Sequence, residues 1–287
     1  MKYRTLGKTG LEVSEVALGL EYLHGKSEKN VVETIRAAYE GGVNYYDVIF
    51  SFQDYLNNLG KAFAGIRNDV ILAAHLGSVE KKGQYKRSRN PKECREYFDR
   101  VMNTLGTDYI DVGFLHFVSP NEYSLVFEPG KIMDVAEDLR QRGIIRNIAL
   151  STHDPFFSVK IIEEYDIDVL MIQVNLVGHT RPGMNELLRL CVERNVGLVA
   201  MKPYAGGRLL QPNRTVYLKA SSAGRKGGRK KMPKQITPLQ CIHYVLSQPG
   251  VSTVVPGAGS AKEIEEVLEY SDMEKTGLDF APLLDRK

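Results

Sequence analysis

The sequence predicts an α/β protein whose 287 residues form one (β/α)8 TIM barrel with an N-terminal β-hairpin. Three observations carry this. Eight short apolar runs recur along the chain, each without the polar alternation of a half-exposed strand. Amphipathic helical patterns separate them. The repeat of roughly 25–50 residues per strand–helix unit fills the ~250 residues that such a barrel needs.

The elements follow in order. The lead-in TLGKTGLEV (5–13) reads as a hairpin turning at Lys-Thr-Gly, placed to plug the barrel floor. The strands are VSEVALG (13–19), VNYYDVI (43–49), DVILAAH (69–75), YIDVGFLH (109–116), IIRNIALS (144–151), VLMIQV (169–174), GLVAMKP (197–203) and VSTVVPG (251–257). Among the helices between them, Ile132, Val135 and Leu139 share one face. Met184, Leu187, Leu188 and Cys191 fall at i, i+3, i+4 and i+7 of another. Start signals agree: Asn90-Pro91 with Glu93, Thr237-Pro238 with Gln240, and a capping box from Ser260 to Glu263. A doubly wound sheet would place GxGxxG after the first strand, where none occurs; GAG at 257–259 follows the last. No composition break divides residues 1–287, so a single domain is expected.

Composition narrows the function classes. The hydrophobic fraction of 43% and charged fraction of 25% suit a soluble globular protein. No run approaches the ~18 apolar residues of a membrane span, and MKYRTLGKTG lacks the apolar core of a signal peptide. Cys94, Cys191 and Cys241 form no CxxC pair and read as reduced core thiols of a cytoplasmic protein. The net charge of +3 is uneven: Lys81–Lys92 holds six basic residues, Lys219–Lys234 holds seven, neither holds an acid, and the remainder carries −10. Two basic loops on an acidic body point to local anion binding and leave an anionic small-molecule substrate open; the competing reading is two solvated loops. No aromatics interleave the basic runs as a nucleic-acid surface would require. Oligomeric state is not encoded in any pattern seen here.

In a barrel, chemistry sits at the C-terminal ends of the strands. Asp47, His75, His116, Ser151, Thr152, His153, Gln173, Asn175 and Lys202 fall there, gathered into one mouth from across the chain.

These residues resemble the aldo-keto reductase family. YRTLGKTGLEVSEVALG, GVNYYD, the LGKAF helix, LGTDYIDVGFLH, VLMIQVNL and VVPGAGSAKEIEEVLEY are similar to it, in its order, over about residues 3–270. The branch resembled often carries a C-terminal four-iron ferredoxin module; clustered cysteines after residue 270 would mark it, and none occurs before Lys287. The resemblance implies hydride transfer between NADPH and a carbonyl. It uses an Asp after strand two, a Tyr five residues later as proton donor, a Lys ending strand three and a His ending strand four. Residue by residue, these positions hold Asp47, Phe52, His75 and His116. The proton donor and its lysine are both replaced, and Phe52 has nothing to donate. Tyr55 falls in the next helix, while Tyr22, Tyr45 or Tyr46 would reach the mouth only through altered local geometry.

An Asp47–His75 pair would substitute for the lost Lys–Asp pair, because a carboxylate raises its histidine's pKa and fixes its tautomer. His75 or His116 then acts as acid or base, and Phe52 supplies an apolar wall. On the cofactor side the resemblance assigns Ser151, Thr152 and Gln173 to the nicotinamide amide. It assigns Met201 to the ring, and Lys202 and Gly206 to the pyrophosphate loop. Gly257, Ala258 and Ser260 fall at the anion-binding turn for the adenosine phosphate. Glu263 stands where the family often keeps an Arg for the 2′-phosphate, so NADP or NAD both remain open, with the basic loop 219–234 as a candidate flap. Two alternatives stay open as well. One is a lyase or isomerase moving protons through Asp47, His75 and His116; the other is a non-catalytic barrel binding nucleotides or anions. Two histidines and a carboxylate are also a metal-ligand set, but they lack ligand spacing and no metal is assigned.

Overall fold

A computed structural model describes residues 1–178, 181–211 and 236–278. Eight parallel strands run in chain order around a barrel. They are β1 (Leu18–Gly19), β2 (Tyr45–Val48), β3 (Ile71–Leu76), β4 (Ile110–Leu115), β5 (Ile145–Ser151), β6 (Val169–Gln173), β7 (Gly197–Met201) and β8 (Val251–Val255). Parallel bridges Val16–Val254 and Gly19–Gly257 close β1 onto β8. Each run expected from the sequence carries one of these strands.

The matching helices are α1 (Glu28–Glu40), α2 (Gln53–Phe63), α3 (Pro91–Leu105), α4 (Ile132–Gln141), α5 (Pro155–Glu164), α6 (Met184–Glu193), α7 (Pro238–Leu246) and α8 (Ala261–Leu268). Their caps follow the expected chemistry. Asn90 accepts from the Glu93 amide at 3.1 Å, and Thr237 with Gln240 completes both halves of a capping box. The box expected at α8 is half-formed. Ser260 accepts from the Glu263 amide at 3.3 Å, but the Glu263 carboxylate reaches past Ser260 to the Gly259 amide at 2.7 Å. Ser260 is fully extended there, which leaves the preceding amide within reach.

Two apolar layers explain why the strands lack alternation: one face packs on the helices, the other fills the barrel. The inner layer includes Tyr45, Ala73, Phe114, Ala149, Met171 and Val199. Leu6, from the turn of the hairpin Tyr3–Thr5/Glu12–Ser14, is fully buried beneath this layer and closes the floor. The expected plug is present. Cys94, Cys191 and Cys241 are buried and unpaired, and burial pushes their thiols up to about 11, 12 and 12.

The basic segment 81–92 differs from the expected anion-binding or solvated loop. Gly77, at φ +99°, turns the chain off the end of β3 into a second hairpin, Ser78–Lys81 paired with Gln84–Arg87. Lys82 and Gly83 close it with two left-handed residues, the two-residue turn that matches strand twist. Three of the segment's six basic residues meet acids from neighbouring elements: Lys81 with Glu93 at 2.7 Å, and Arg87 and Arg89 with Glu122 at 3.3 and 3.1 Å. The other basic segment, 219–234, lies outside the described residues.

Candidate active site

The period-two pleat decides which side chains reach the mouth. Climbing the inner face of each strand, apolar residues give way to polar or open ones. Tyr45 leads to Asp47, Ile71 and Ala73 to His75, and Val112 and Phe114 to His116. Ala149 leads to Ser151, Val169 and Met171 to Gln173, Val199 to Met201, and Val255 to Gly257. The upper members all line one cavity of about 1010 Å³.

Within it the titratable groups are strung in a line. Asp47 Oδ1 lies 2.8 Å from His75 Nε2, and His75 Nδ1 lies 3.0 Å from His116 Nδ1. His116 Nε2 lies 2.5 Å from the hydroxyl of Tyr85. Asp47, His75 and His116 are 6%, 5% and 2% exposed, whereas Tyr85 is 37% exposed and ends the line at the cavity. Each ring nitrogen faces its neighbour, so the groups do not converge on a point. Among the described residues no cluster of His, Cys, Asp or Glu is placed to hold a metal ion.

The hydrogen bonds fix the protons once Asp47 is ionised and both imidazoles are neutral. His75 must donate Nε2–H to Asp47, leaving Nδ1 as acceptor. His116 must then donate Nδ1–H to His75, and Tyr85 must donate its O–H to His116 Nε2. Neutral His116 is favoured by its surroundings: burial first, then the His75 ring and the Arg89 and Arg87 guanidiniums, push its pKa well below the ordinary value. Burial raises the Tyr85 phenol, partly opposed by Arg87 and Arg89.

Tyr85 was not expected as a site residue. Of the tyrosines considered from the sequence, Tyr45 and Tyr55 are buried with hydroxyls that find no partner, and Tyr46 donates to the Val43 carbonyl at 3.0 Å. Tyr22 is 57% exposed and lies over Gly257 at the rim. None meets His116. The usable signal was local: SVEK and QYKR flank Lys-Gly immediately beyond the mouth residue of β3, which is hairpin grammar.

Four of the expected residues lie away from the cavity lining. Phe52 caps the start of α2 and stacks on His24, centroids 4.1 Å apart, away from the cavity, whereas Phe50 lines it alongside Tyr22, Tyr85, Phe117 and Tyr204. Thr152 is fully buried and its hydroxyl accepts from the Asp154 amide at 3.3 Å. Ser151 takes the inward face, so its neighbour must face out, and His153 is the next residue at the cavity. His153 lies 3.3 Å from Gln173 Nε2 and 3.5 Å from Lys202 Nζ. Burial, with Lys202 and Arg181 nearby, pushes its pKa down to about 4. Ala258 is buried and Ser260 is committed to capping α8, so neither lines the cavity.

Ser151, Gln173, Met201, Lys202, Gly206 and Gly257 do line it. Phe117, Lys202 and Ala205 adopt left-handed backbone there, a conformation that costs energy for non-glycine residues and concentrates at functional sites.

A closed barrel with acid–base groups at the C-terminal ends of its strands is the arrangement on which barrel enzymes build their sites. Residues 15–283 match the aldo/keto reductase family, and the chain belongs to that family of oxidoreductases, which bind a nicotinamide cofactor and small-molecule substrates. It is 27% identical to an uncharacterized oxidoreductase, YqkF, of Bacillus subtilis, over 95% of this chain and 92% of that one. It is 24% identical to an L-galactose dehydrogenase of Arabidopsis thaliana, over 97% and 91%. Its fold resembles the holo form of the aldo-keto reductase AKR11C1 from Bacillus halodurans, with a TM-score of 0.77 and 24% identity over 96% and 92%. No described helix is long and apolar enough to cross a membrane.

Proposed function

We propose that the protein interconverts a small carbonyl and its alcohol with a nicotinamide dinucleotide, using Asp47, His75 and His116 as its proton path. The observation that carries this is the unbroken line of bonds from Asp47 through His75 to His116, at 2.8 and 3.0 Å, ending at the cavity. When bound, the dinucleotide supplies or accepts the hydride. In this reading Ser151 and Gln173, which line the cavity, hold the carboxamide, and Met201 beside them offers an apolar contact. Lys202 and Arg208, which line the cavity from the loop after β7, would hold the pyrophosphate, with Gly206 and Gly207 leaving open backbone for close approach. Asp47 orients His75 and stabilises it when it takes a second proton; His75 passes that proton to His116.

The rim at α8 favours NAD over NADP. Glu263 and Glu266 line the cavity, and the Glu263 carboxylate already occupies the Gly259 amide. A carboxylate there suits a ribose hydroxyl and repels a 2′-phosphate. Titration with NADH and NADPH by fluorescence tests the proposal, with NADH expected to bind more tightly. Failure of both to bind at millimolar concentration refutes the reductase reading. Turnover of a panel of small aldehydes, hydroxy-ketones and sugars then locates the substrate class.

A further inference from the structure

We infer that Tyr85, carried on the hairpin inserted after β3, is the group that exchanges the proton with the substrate oxygen. This rests on the reductase reading and assigns its missing acid. The position that the resemblance gives to the phenol holds Phe52, which lies off the cavity, yet a phenol is present at the mouth from another part of the chain. Its hydroxyl reaches His116 Nε2 at 2.5 Å, and its ring leans on Phe50 at a centroid distance of 5.3 Å. It is 37% exposed while the other three members are nearly sealed, so it is the only member of the line with a broad face to incoming substrate.

The hairpin is built to hold that position. Val79 is buried, and Ser78 donates to the Ile49 carbonyl at 2.5 Å, tying the hairpin to the loop after β2. Arg89, at the hairpin's exit, donates to the carbonyls of His116 and Phe117 at 2.9 and 3.0 Å and to Glu122. The same guanidinium therefore fixes the hairpin to the residue that Tyr85 must meet.

The proton count sets the direction. With three protons in the line, the Tyr85 O–H is committed to His116, and its oxygen is free to accept an alcohol proton. The Tyr85 proton then passes to His116 Nε2, the Nδ1 proton of His116 to His75 Nδ1, and His75 holds both protons beside ionised Asp47. The alcohol carbon gives up its hydride and is oxidised while the nicotinamide is reduced. With this fourth proton on His75, every bond between His75 and Tyr85 reverses. His75 Nδ1–H donates to His116, His116 Nε2–H donates to Tyr85, and the Tyr85 O–H turns to the mouth. In that form a carbonyl oxygen takes the Tyr85 proton as its carbon takes the hydride, the dihydronicotinamide is oxidised, and the line returns to three protons. The charged neighbours of this line are Arg87, Arg89, Glu122 and Glu21 around Tyr85, and Arg87 and Arg89 around His116. The phenols of Tyr45 and Tyr55 lie near Asp47.

Tyr85→Phe keeps the ring and its packing and removes only the hydroxyl. Two readouts test the inference. Imidazole nitrogen NMR of the whole protein is expected to show His116 protonated at Nδ1 with a hydrogen-bonded Nε2, and the Nε2 signal is expected to move toward the free-acceptor position in the variant. Turnover in both directions is expected to fall about 10²–10⁴-fold, with dinucleotide affinity unchanged. In the wild type, reduction is expected to decline and oxidation to rise with pH around one shared midpoint. An unchanged His116 signal in Tyr85→Phe, or retained turnover, overturns the inference. Absence of nicotinamide-linked turnover in the wild type defeats the reductase reading instead, and the NMR measurement still decides whether Tyr85 and His116 are joined.

Discussion

Removing the Arg89 side chain tests how the inserted hairpin is held. Its guanidinium is only 10% exposed and the Glu122 carboxylate 16%. Nε and Nη2 meet the two Glu122 oxygens at 3.1 and 3.3 Å, while Nη2 also serves the carbonyls of His116 and Phe117. Arg89→Ala strands a partly buried carboxylate and withdraws donors from two carbonyls. Breaking a buried pair typically costs ~3–5 kcal/mol. The low end applies because Arg87 Nη1 still lies 3.3 Å from Glu122, giving a loss of about 3 kcal/mol. For a chain of this size that corresponds to a fall in Tm of about 6 °C. Arg89→Lys keeps the charge but not the planar fork, and is expected to recover less than about half of the loss. The assay is denaturant unfolding of Arg89→Ala, Glu122→Ala and the double variant. A coupling energy above about 1 kcal/mol is expected; a value under about 0.5 kcal/mol, with additive single effects, would show that the two residues are not a unit.

Three further outcomes are open to measurement. A Cβ at Gly113 would lie 2.5, 2.8 and 2.9 Å from three atoms of the buried Ile145 side chain, so Gly113→Ala is expected to cost about 1–3 kcal/mol by overpacking, read as a lowered urea midpoint at unchanged slope. Glu263→Gln removes the charge beside the Gly259 amide; the NADPH-to-NADH affinity ratio is expected to rise about 10-fold, since one screened charge contact is worth roughly 1.4 kcal/mol at such a rim, and a ratio that stays fixed removes Glu263 from cofactor selection. Burial pushes the Glu122 carboxyl up, but hydrogen bonds from the Ser119 side chain and amide, together with Arg89, outweigh it and hold the group below its ordinary value. Its stabilising contribution is therefore complete above the unfolded-state value of about 4.3 and is lost as pH falls through the folded one. Denaturant midpoints between pH 6 and pH 3 should fall less steeply in Glu122→Gln than in the wild type.

The barrel was legible because its strands obey one rule at both faces. Runs such as Ile71–Leu76 and Ile110–Leu115 are buried throughout, and that continuous burial appears in the sequence as unbroken apolar character. His75 and His116 were legible as mouth residues for a related reason: a polar residue ending such a run, two places after an inward Ala73 or Phe114, can only face the mouth. The same parity was the information missed at Thr152, where likeness of position outweighed the alternation that turns its side chain outward. Tyr85 was hidden by a different cause. It belongs to no barrel element, so neither strand parity nor family position could place it, and its surroundings of lysine and arginine resembled solvent-facing charge. Tertiary contacts distant in sequence, such as Arg89 with Glu122, 33 residues away, and Ser78 with the Ile49 carbonyl, reveal that the segment is anchored.

The N-terminal hairpin gives the molecule a single open end. Among the described residues, Leu6 and the inner apolar layer fill the floor, so in the proposed reaction the mouth that admits substrate is also the place where the relay trades protons with water. A substrate seated over Tyr85 shuts that exchange while it reacts. The turnover must then run on whatever proton inventory the line held at the moment of binding. Reduction and oxidation become two populations of enzyme, sorted by pH before the encounter, rather than two events drawn from one buffered supply. A rapid pH jump applied after binding should accordingly leave the first turnover unaffected and alter only those that follow.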